Sequence, residues 1–541
     1  MQKNVQLLDC TLRDGGRIID CRFEDSTISH MAKDLTMANI DIVEMGFLRD
    51  HKLVTYKGDS TFFTEVPQIA PFIPQGRKNT MYTAFIDYNM YDFSKLEACD
   101  GSSVTGIRVG FTKKQFDTEL DRIKQALYKV KERGYALFVQ GVNSLAYTDR
   151  ELLDLVDMVN EVEPYGFGIV DTYGAMYLDD IVHFYSLVDH NLDPAICMDI
   201  HSHNNFQSSF AFAQEMIRQS DGKRKLILDA TLNGMGKCAG NLNTELIADY
   251  LVRKKNCDYD IDRILDAIDT YLVPLKNEHK WGYSIPAFMA GIYKSHPNNV
   301  IYLTEKYRLN SKDIKYILSG IEEKTRQTYD YDNIQRVYRT YNENLVDDKQ
   351  SLWKLREKLS GKGVLVLAPG STVNDYHNRI EEYIREEAPV VISVNFVPSR
   401  IKSDYYFYAN TIHWKRVCDE LTPDKCILTS NIHDNVQDTL LVDYSSLIVE
   451  DSKLFDNSTI MLLNLLKKLD VSKIAIAGFD GLKEGGGNYI NIAFPNVSQE
   501  MSVAETNKEV RKLYEQYKGK TAGKIAIEML TPSVYENLET K

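Results

Sequence analysis

Hydrophobic and polar positions along the first 250 residues follow two alternating patterns. Short apolar runs rich in β-branched and aromatic residues predict strands, and the stretches between most of them, such as residues 113–133 and 150–162, have apolar positions at helical spacing. Strands that alternate with helices pair in parallel, and about 250 residues can close a (β/α)8 TIM barrel. The predicted strands are residues 6–10, 40–47, 81–87, 106–111, 136–143, 166–173, 195–200 and 226–233.

The pattern changes twice after this barrel, which we assign to residues 1–256. In residues 257–362 the strand signals vanish, and helical periodicity with many Tyr, Lys and Glu residues predicts a helical extension or lid. One of its helices is expected to begin near Pro286, because proline is tolerated in the first turn. From residue 363 to 541 strands and helices alternate again, which predicts a Rossmann-like α/β domain.

The elements predicted in this last domain are one helix and five strands. The helix is expected at residues 375–387, and the strands at residues 364–368, 390–396, 405–408, 425–429 and 473–478.

Composition and charge narrow the class of protein. A net charge of −13 disfavours a nucleic-acid partner, and no run approaches the roughly 18 uninterrupted apolar residues of a membrane span. The eight cysteines show no CxxC spacing, so neither a zinc ribbon nor a disulfide framework is indicated. We therefore expect a cytoplasmic protein with reduced thiols and no membrane partner.

Four polar residues at strand ends predict a metal site. Asp14 follows the first predicted strand, and His201 and His203 follow the seventh. Because a closed barrel makes its first and eighth strands neighbours, and because residues two apart on a strand face the same side, these groups can converge. Asn241, after the eighth strand, can add an amide oxygen or orient a water.

The donor set narrows the metal. Two imidazoles and a carboxylate suit Mn²⁺, Zn²⁺, Co²⁺ or Fe²⁺, with Mn²⁺ expected first and Mg²⁺ also compatible. Taken alone, an HxH pair is common, and a lone Asp in a turn is usually a turn former. The convergence of the four groups at one end of the barrel favours the metal site.

At these positions the sequence resembles the metal-dependent aldolase, lyase and synthase superfamily that includes 3-hydroxy-3-methylglutaryl-CoA lyase, 2-isopropylmalate synthase and 4-hydroxy-2-oxovalerate aldolase. The resemblance covers about residues 5–273 and depends on the Thr-Leu-Arg-Asp-Gly run at 11–15, the HxH pair and the glycine-rich loop at 234–241. It is closest to the hydroxy-oxovalerate aldolases. It implies metal binding by Asp14 and both histidines, and a catalytic role for Arg13.

The resemblance also implies roles for Glu44 and Asp171 near the substrate, although Asp171 could equally cap the next helix. A divalent ion chelated by a 2-oxo acid would stabilise an enolate, Arg13 would hold the developing oxyanion, and Glu44 would hold Arg13. The expected function is a class II aldolase that acts on a pyruvate-type 2-oxo acid and an aldehyde. The competing hypotheses are a Claisen-type acyl-CoA lyase or synthase and a catalytically idle barrel that serves as a binding scaffold.

Departures from the family pattern leave the proton-transfer group open. Claisen-type synthases carry Gly-Glu-Gln after the metal-binding Asp, whereas this chain has Gly-Gly-Arg at residues 15–17, which disfavours acyl-CoA condensation. The hydroxy-oxovalerate aldolases place a catalytic His about where Arg17 stands. Arg17 could bind a substrate carboxylate or phosphate, and Tyr173, Tyr283 or a metal-bound water could move a proton. Cys238 is only weakly indicative of acyl-CoA lyase chemistry.

The last domain carries a weaker signal. A strand, the turn Pro-Gly-Ser-Thr at residues 369–372 and a helix can place backbone N–H groups around a phosphate. This region resembles the nucleotide-binding core of bacterial sialyltransferase-type proteins, which implies a nucleotide or nucleotide-sugar site at Gly370, Thr372 and Asn395. A structural or dimerising domain fits equally well, and the missing GxGxxG pattern argues against NAD.

Pairing the two domains suggests a sugar aldehyde acceptor in surface-polysaccharide precursor synthesis. We also expect a homo-oligomer, because barrels of this family commonly pair through their outer helices.

Overall fold

The structure is a computed structural model, and it describes residues 4–76, 79–305, 311–342, 346–432, 436–449, 452, 454, 457–483 and 502–536. The chain divides into two compact units, Met1–Val300 with Arg326–Thr328, and Ile301–Thr325 with Tyr329–Lys541. The domain boundaries expected at residues 256 and 362 stay predictions. In the described part of the chain, no helix has both the length and the apolar content of a membrane span.

The first unit contains the predicted barrel. Its parallel strands neighbour one another in the order β1-β9-β8-β7-β6-β5-β4-β2, and pairing of β1 with β2 closes the ring, so the eight-stranded barrel is confirmed for the described residues. The short β3 lies beside β2, outside this ring. The strands are β1 Val5–Asp9, β2 Ile42–Leu48, β3 Phe62–Phe63, β4 Met81–Asp87, β5 Gly106–Thr112, β6 Ala136–Val142, β7 Gly166–Asp171, β8 Cys197–Ser202 and β9 Leu226–Ala230.

Helices of the barrel follow most strands. Capping boxes at Thr112 and Thr148 begin α2 and α3, where each hydroxyl accepts a backbone N–H three residues on. In the described residues after β2 and β4, short 3₁₀ turns replace the expected α-helices. The barrel helices are α1 Asp25–Met37, α2 Lys113–Glu132, α3 Asp149–Val162, α4 Leu178–Asn191, α5 Ser209–Ser220 and α6 Thr244–Lys255.

Helices also occupy the region predicted as a helical extension. The helix expected near Pro286 is confirmed as α9, where Ser284 accepts the N–H of Ala287 and proline stands in the first turn. These helices are α7 Ile261–Ala267, α8 Val273–Glu278, α9 Ile285–Ile292, α10 Pro297–Glu305, α11 Ser311–Ser319, α12 Glu323–Arg326, α13 Tyr331–Asn342 and α14 Lys349–Leu359.

Successive residues of a barrel strand pack alternately into two separate hydrophobic cores. Leu7 packs in the large cluster shared with the helices, whereas its neighbour Leu8 packs with Ile42, Phe138 and Ile227 in a separate small cluster. This is the period of two expected for a strand whose faces are both buried. The buried residues of the small cluster come from five barrel strands, which fits a filled barrel interior.

A bulge in β2 lies next to one of the predicted site residues. The register against β4 shifts between Glu44 and Phe47. Gly46 has φ +148°, and a Cβ there would lie 2.3 Å from the carbonyl oxygen of Thr61. Only glycine permits this close approach, because any side chain would collide with backbone.

The second unit contains a parallel sheet in the order β14-β13-β12-β11-β10-β15-β16. All five predicted strands are present, and β14 and β16 were missed because one has only three residues and the other is largely exposed. The strands are β10 Gly363–Leu367, β11 Val390–Val394, β12 Tyr405–Tyr408, β13 Cys426–Thr429, β14 Leu440–Val442, β15 Lys473–Ala477 and β16 Ala526–Met529. The predicted α/β class is therefore confirmed for the C-terminal region.

Helices connect several of these strands, and the helix predicted at 375–387 is divided at Tyr376. The helices are α15 Thr372–Asp375, α16 His377–Glu387, α17 Thr411–Lys415, α18 Ser458–Lys468 and α19 Val503–Thr521. The strand order reverses between β10 and β15, which is where open parallel sheets form a crevice at their carboxyl ends.

Candidate active site

Asp14, His201 and His203 meet at the carboxyl ends of β1 and β8. The Oδ2 atom of Asp14 lies 3.8 Å from the Nε2 atom of each histidine. One ligand atom from each residue lies within 4.8 Å of the other two, so all three can contact a single ion. The sequence pattern predicted this convergence.

Neighbouring groups orient these donors. The Nδ1 atom of His201 lies 2.9 Å from Oδ2 of Asp229, which leaves Nε2 on the side of Asp14. Asn241 donates its Nδ2 to Asp14 at 3.1 Å and to the Met235 carbonyl at 3.0 Å. Its Oδ1 is buried without a hydrogen-bond partner among the described residues. A buried acceptor without a donor, beside a carboxylate and two imidazoles, fits a divalent cation.

The protonation states also fit a metal. Burial lowers the pKa of His201 and that of His203 to about 4, so both rings are neutral near pH 7 and can ligate. Burial would by itself raise the pKa of Asp14, but Arg13 and then His203 outweigh it and hold that pKa well below the usual range. Asp14 is therefore ionised.

Arg13 is fixed beside the metal-ligand set. Its Nε donates to Oε2 of Glu44 at 2.5 Å, and its Nη1 donates to Oδ1 of Asp14 at 2.7 Å. The guanidinium carbon lies 4.4 Å from the centre of the Phe85 ring. Two anchors and a ring face hold the guanidinium in one orientation, and the structure brings Glu44 to the position expected of a residue that holds Arg13.

A buried ionic network that sequence reasoning missed lies behind Arg13. Arg108 donates to Glu44 at 3.3 Å, to Asp199 at 2.8 Å and to Asp229 at 2.6 Å, and all four side chains are fully buried. Asp229 in turn holds His201. The available signal was one charged residue inside each of the apolar strands β5, β8 and β9. Buried charges of this kind are paired or functional.

Arg17 lies at the edge of the site. Its Nε is 3.3 Å from Oδ1 of Asp14, and its Nη2 is 3.7 Å from Asp87. The guanidinium carbon lies 4.6 Å from the centre of the Phe47 ring. About a third of the side chain remains exposed, so Arg17 can still donate to a ligand.

Asp171 and Tyr173 differ in their relation to the cavity. The carboxylate of Asp171 accepts the N–H groups of Ala175 and Met176 at 2.8 and 3.2 Å, and burial raises its pKa to about 7. Asp171 therefore holds the loop before α4 and does not cap that helix, whose N-cap is Tyr177. Tyr173 lines the cavity, its hydroxyl donates to the Gln327 carbonyl at 3.2 Å, and burial raises its pKa to about 12.

An open cavity lies over the three metal-binding candidates. Sequence reasoning missed several of its residues because they come from loops and from the segment before α10. Tyr283, a candidate proton carrier, is 57% exposed and is not part of this lining. The lining includes Arg13, Asp14, Arg17, Phe85, Asp87, Gln140, Tyr173, His201, His203, Lys237, Cys238, His296 and Pro297.

Cys238 gives little support to thiol chemistry. It lines the cavity, but burial raises the pKa of its thiol to about 12, with only Lys237 acting in the opposite sense. A thiol with this pKa stays protonated near pH 7, and the thiolate is the reactive form.

The polar groups of the C-terminal candidates bond to other groups of the protein. Thr372 donates its backbone N–H to Asp480 at 2.9 Å and its hydroxyl to the same carboxylate. The Gly370 N–H donates to the Gly478 carbonyl at 2.8 Å. Asn395 instead bonds to the Ala409 N–H and the Ser458 hydroxyl. A phosphate at Thr372 would therefore have to displace the Asp480 carboxylate.

Comparison with known proteins matches the barrel to a family model. Residues 4–270 match the family model described as HMGL-like. A 2-isopropylmalate synthase of Geobacillus sp. is 20% identical over 271 residues, which cover 47% of this chain and 49% of the synthase. A 4-hydroxy-2-oxovalerate aldolase of Carboxydothermus hydrogenoformans is 23% identical over 328 residues, which cover 58% of this chain and 91% of the aldolase.

A solved HMG-CoA lyase from Brucella melitensis superimposes with a TM-score of 0.42 and 13% identity, and covers 50% of this chain and 99% of the lyase. The match to the synthase spans about half of its length. The family match covers the barrel strands, including β8 with His201, and the loops that carry Asp14, His203 and Asn241. Residues 4–270 of this chain, which form the barrel, therefore match the HMGL-like family, and the curated relatives of this region include aldolases and synthases.

Proposed function

We propose that the barrel is a divalent-metal-dependent aldolase, a carbon–carbon lyase that acts through the enolate of a pyruvate-type 2-oxo acid. The observation that carries this proposal is the convergence of Asp14, His201 and His203 beside a fixed Arg13. When bound, a divalent ion supplies Lewis acidity that favours enolate formation in a 2-oxo acid. We expect Mn²⁺ first, and Zn²⁺, Co²⁺ or Mg²⁺ as alternatives, held by these three residues with Asn241.

Arg13 is suited to stabilise the developing oxyanion. Its guanidinium stays charged, and burial is more than offset by Glu44 and Asp14, which raise its pKa further. The hydrogen bonds to those two carboxylates fix its orientation before a substrate arrives. Donors arranged in advance stabilise a developing charge without the cost of reorganising during the reaction.

The test is exchange of pyruvate methyl protons into D₂O, followed by NMR. We expect exchange with Mn²⁺, its loss on adding EDTA and its return when Mn²⁺ is restored in excess. Enolate formation removes a methyl proton, and deuterium from the solvent replaces it when the enolate returns to pyruvate. Exchange that persists in EDTA would contradict the metal-dependent mechanism. Absence of exchange with both pyruvate and 2-oxobutyrate would favour the acyl-CoA or scaffold hypothesis.

We further propose that His296 donates an Nε2–H hydrogen bond to the acceptor oxygen as the new carbon–carbon bond forms, while the final proton of the hydroxyl comes from solvent. It lines the cavity, and its Nδ1 accepts the Asn298 N–H at 3.2 Å, so the neutral ring carries its proton on Nε2. Burial, then Lys237 and Arg17, lower its pKa to about 4, which keeps the ring neutral near pH 7. Tyr173 is less suited, because its hydroxyl donates to Gln327.

Replacing the two groups separately tests this assignment. His296→Leu should lower the rate of pyruvate condensation with glyceraldehyde 3-phosphate by roughly 100-fold or more, the effect of removing one hydrogen-bond donor to a developing oxyanion. Tyr173→Phe should lower it less than about tenfold, because that hydroxyl bonds to backbone. Steady-state assays with Mn²⁺ give both rates. A larger loss for Tyr173→Phe than for the His296 variant would make Tyr173 the donor to the acceptor oxygen.

The acceptor substrate and the biological role are inferred from the presence of both units in one chain. A sugar aldehyde acceptor, a nucleotide or nucleotide sugar at the second unit, and a role in surface-polysaccharide precursor synthesis remain proposals. The contacts of Thr372 with Asp480 give the phosphate site no added support. A cytoplasmic location and a homo-oligomer also stay predictions.

A further inference from the structure

Lys237 is a half-buried cation on the wall of the active-site cavity. It stands in the loop after β9, between the 3₁₀ turn Leu232–Gly234 and Asn241. Within the described residues, its ammonium forms no ion pair and no hydrogen bond. Arg13, Arg49 and Arg108, by contrast, each bind at least one carboxylate.

The surroundings of Lys237 disfavour its charge. Burial and then the neighbouring charge of Arg17 lower its pKa, and Asp14 only partly opposes them. Lysine is rarely buried without a partner, because loss of hydration is not offset. An anion entering the cavity would supply the missing partner.

Arg17 offers a second cation on the same cavity wall. Its contacts with Asp14 and Asp87 are 3.3 and 3.7 Å long, and a third of its side chain is exposed. A guanidinium has five N–H donors in a planar fork, so it can bind an anion while keeping these contacts. Lys237, Arg17 and His296 all line the same cavity.

We propose that Lys237 and Arg17 form a subsite for an anionic group, a carboxylate or a phosphate ester, on the acceptor aldehyde. This inference rests on the proposed function, because it concerns the second substrate of that reaction. The cavity that Lys237 and Arg17 line also contains Asp14, the two histidines and His296, so it can hold the 2-oxo acid and the acceptor together. An acceptor anchored there would present its aldehyde oxygen to the His296 ring.

Matched aldehydes test the subsite in the full chain with Mn²⁺ and pyruvate. Glyceraldehyde 3-phosphate is compared with glyceraldehyde, and glyoxylate with glycolaldehyde. At least one anionic aldehyde should have a kcat/KM about 30-fold above its neutral partner, the size expected of charge-assisted hydrogen bonds. The phosphate and carboxylate pairs distinguish the two sources of charge.

Variants connect the preference to Lys237. Lys237→Met should reduce the ratio of kcat/KM for the anionic aldehyde to that for its neutral partner to less than about threefold. Lys237→Arg should retain most of this ratio, because it keeps the positive charge. The matched control is Lys255→Met, an exposed lysine at the end of α6 that should keep the wild-type ratio.

Two results would overturn the subsite. One is a wild-type protein that exchanges pyruvate protons but uses charged and neutral aldehydes equally, or uses none of the four. The other is a Lys237→Met protein that keeps the preference. If the wild-type protein showed no Mn²⁺-dependent exchange of pyruvate protons, the result would instead contradict the proposed function.

Discussion

Asp14→Asn is expected to lower metal-dependent exchange of pyruvate protons by about a thousandfold or more. Asn has nearly the same size but lacks the charge that faces both imidazoles and Arg13. Metal-supplied stabilisation of a developing charge amounts to several kcal/mol, and each 1.4 kcal/mol changes a rate tenfold. Loss of the anionic ligand should therefore remove most of the activity.

The measurement is the exchange rate at saturating Mn²⁺, together with Mn²⁺ affinity by calorimetry. Asp20→Asn is the control, because Asp20 is 81% exposed in its side chain and has a left-handed backbone that Asn tolerates. Near wild-type circular dichroism would show that Asp14→Asn folds. If that folded variant exchanged pyruvate protons within about tenfold of the wild type, the assignment of Asp14 would be wrong.

The sequence predicted that the three metal-binding candidates would lie close together because they occupy strand ends. Closure of a barrel determines which strand ends become neighbours, so Asp14, His201 and His203 could be brought together without knowing any loop. Residues on loops are different, because their direction depends on backbone torsions that periodicity does not encode. Lys237 precedes Cys238, which has φ +56°, and nothing in the sequence indicated that this loop would turn a cation toward the cavity.

Sequence reasoning was least informative where two uses of a residue look alike. Asp171 ends β7 and Thr372 follows the turn after β10, positions where either a ligand contact or a local turn is common. In the structure, Asp171 accepts two backbone N–H groups of the following loop, and Thr372 bonds to Asp480, a residue far along the chain. The sequence alone does not distinguish these uses, because both begin with a polar residue at the end of a strand.

Arg108→Met is expected to lower the free energy of unfolding by about 3–5 kcal/mol at pH 8, the usual result of removing one partner of a buried ionic network. Methionine fills similar volume but leaves Glu44, Asp199 and Asp229 without their shared cation. Mn²⁺ affinity should also fall about 10- to 100-fold, because Asp229 holds His201 and Glu44 holds Arg13.

The pH dependence of this deficit tests the mechanism. Burial, and then Asp229, already raise the pKa of Asp199 to about 7, and burial raises that of Asp229. Removal of Arg108 raises both further, so the folded variant binds more protons than its unfolded chain. Its stability should therefore rise as the pH falls from 8 to 6, and the deficit relative to the wild type should shrink.

Urea unfolding at pH 6, 7 and 8 measures the deficit, and Arg253→Met provides the matched control. Arg253 pairs with Asp249 on the exposed face of α6, so its loss should change stability by less than about 0.5 kcal/mol at any of these pH values. A deficit for Arg108→Met that is equally small, or that grows toward pH 6, would contradict a charged network. Such a result would mean that Glu44 and Asp229 hold Arg13 and His201 without help from Arg108.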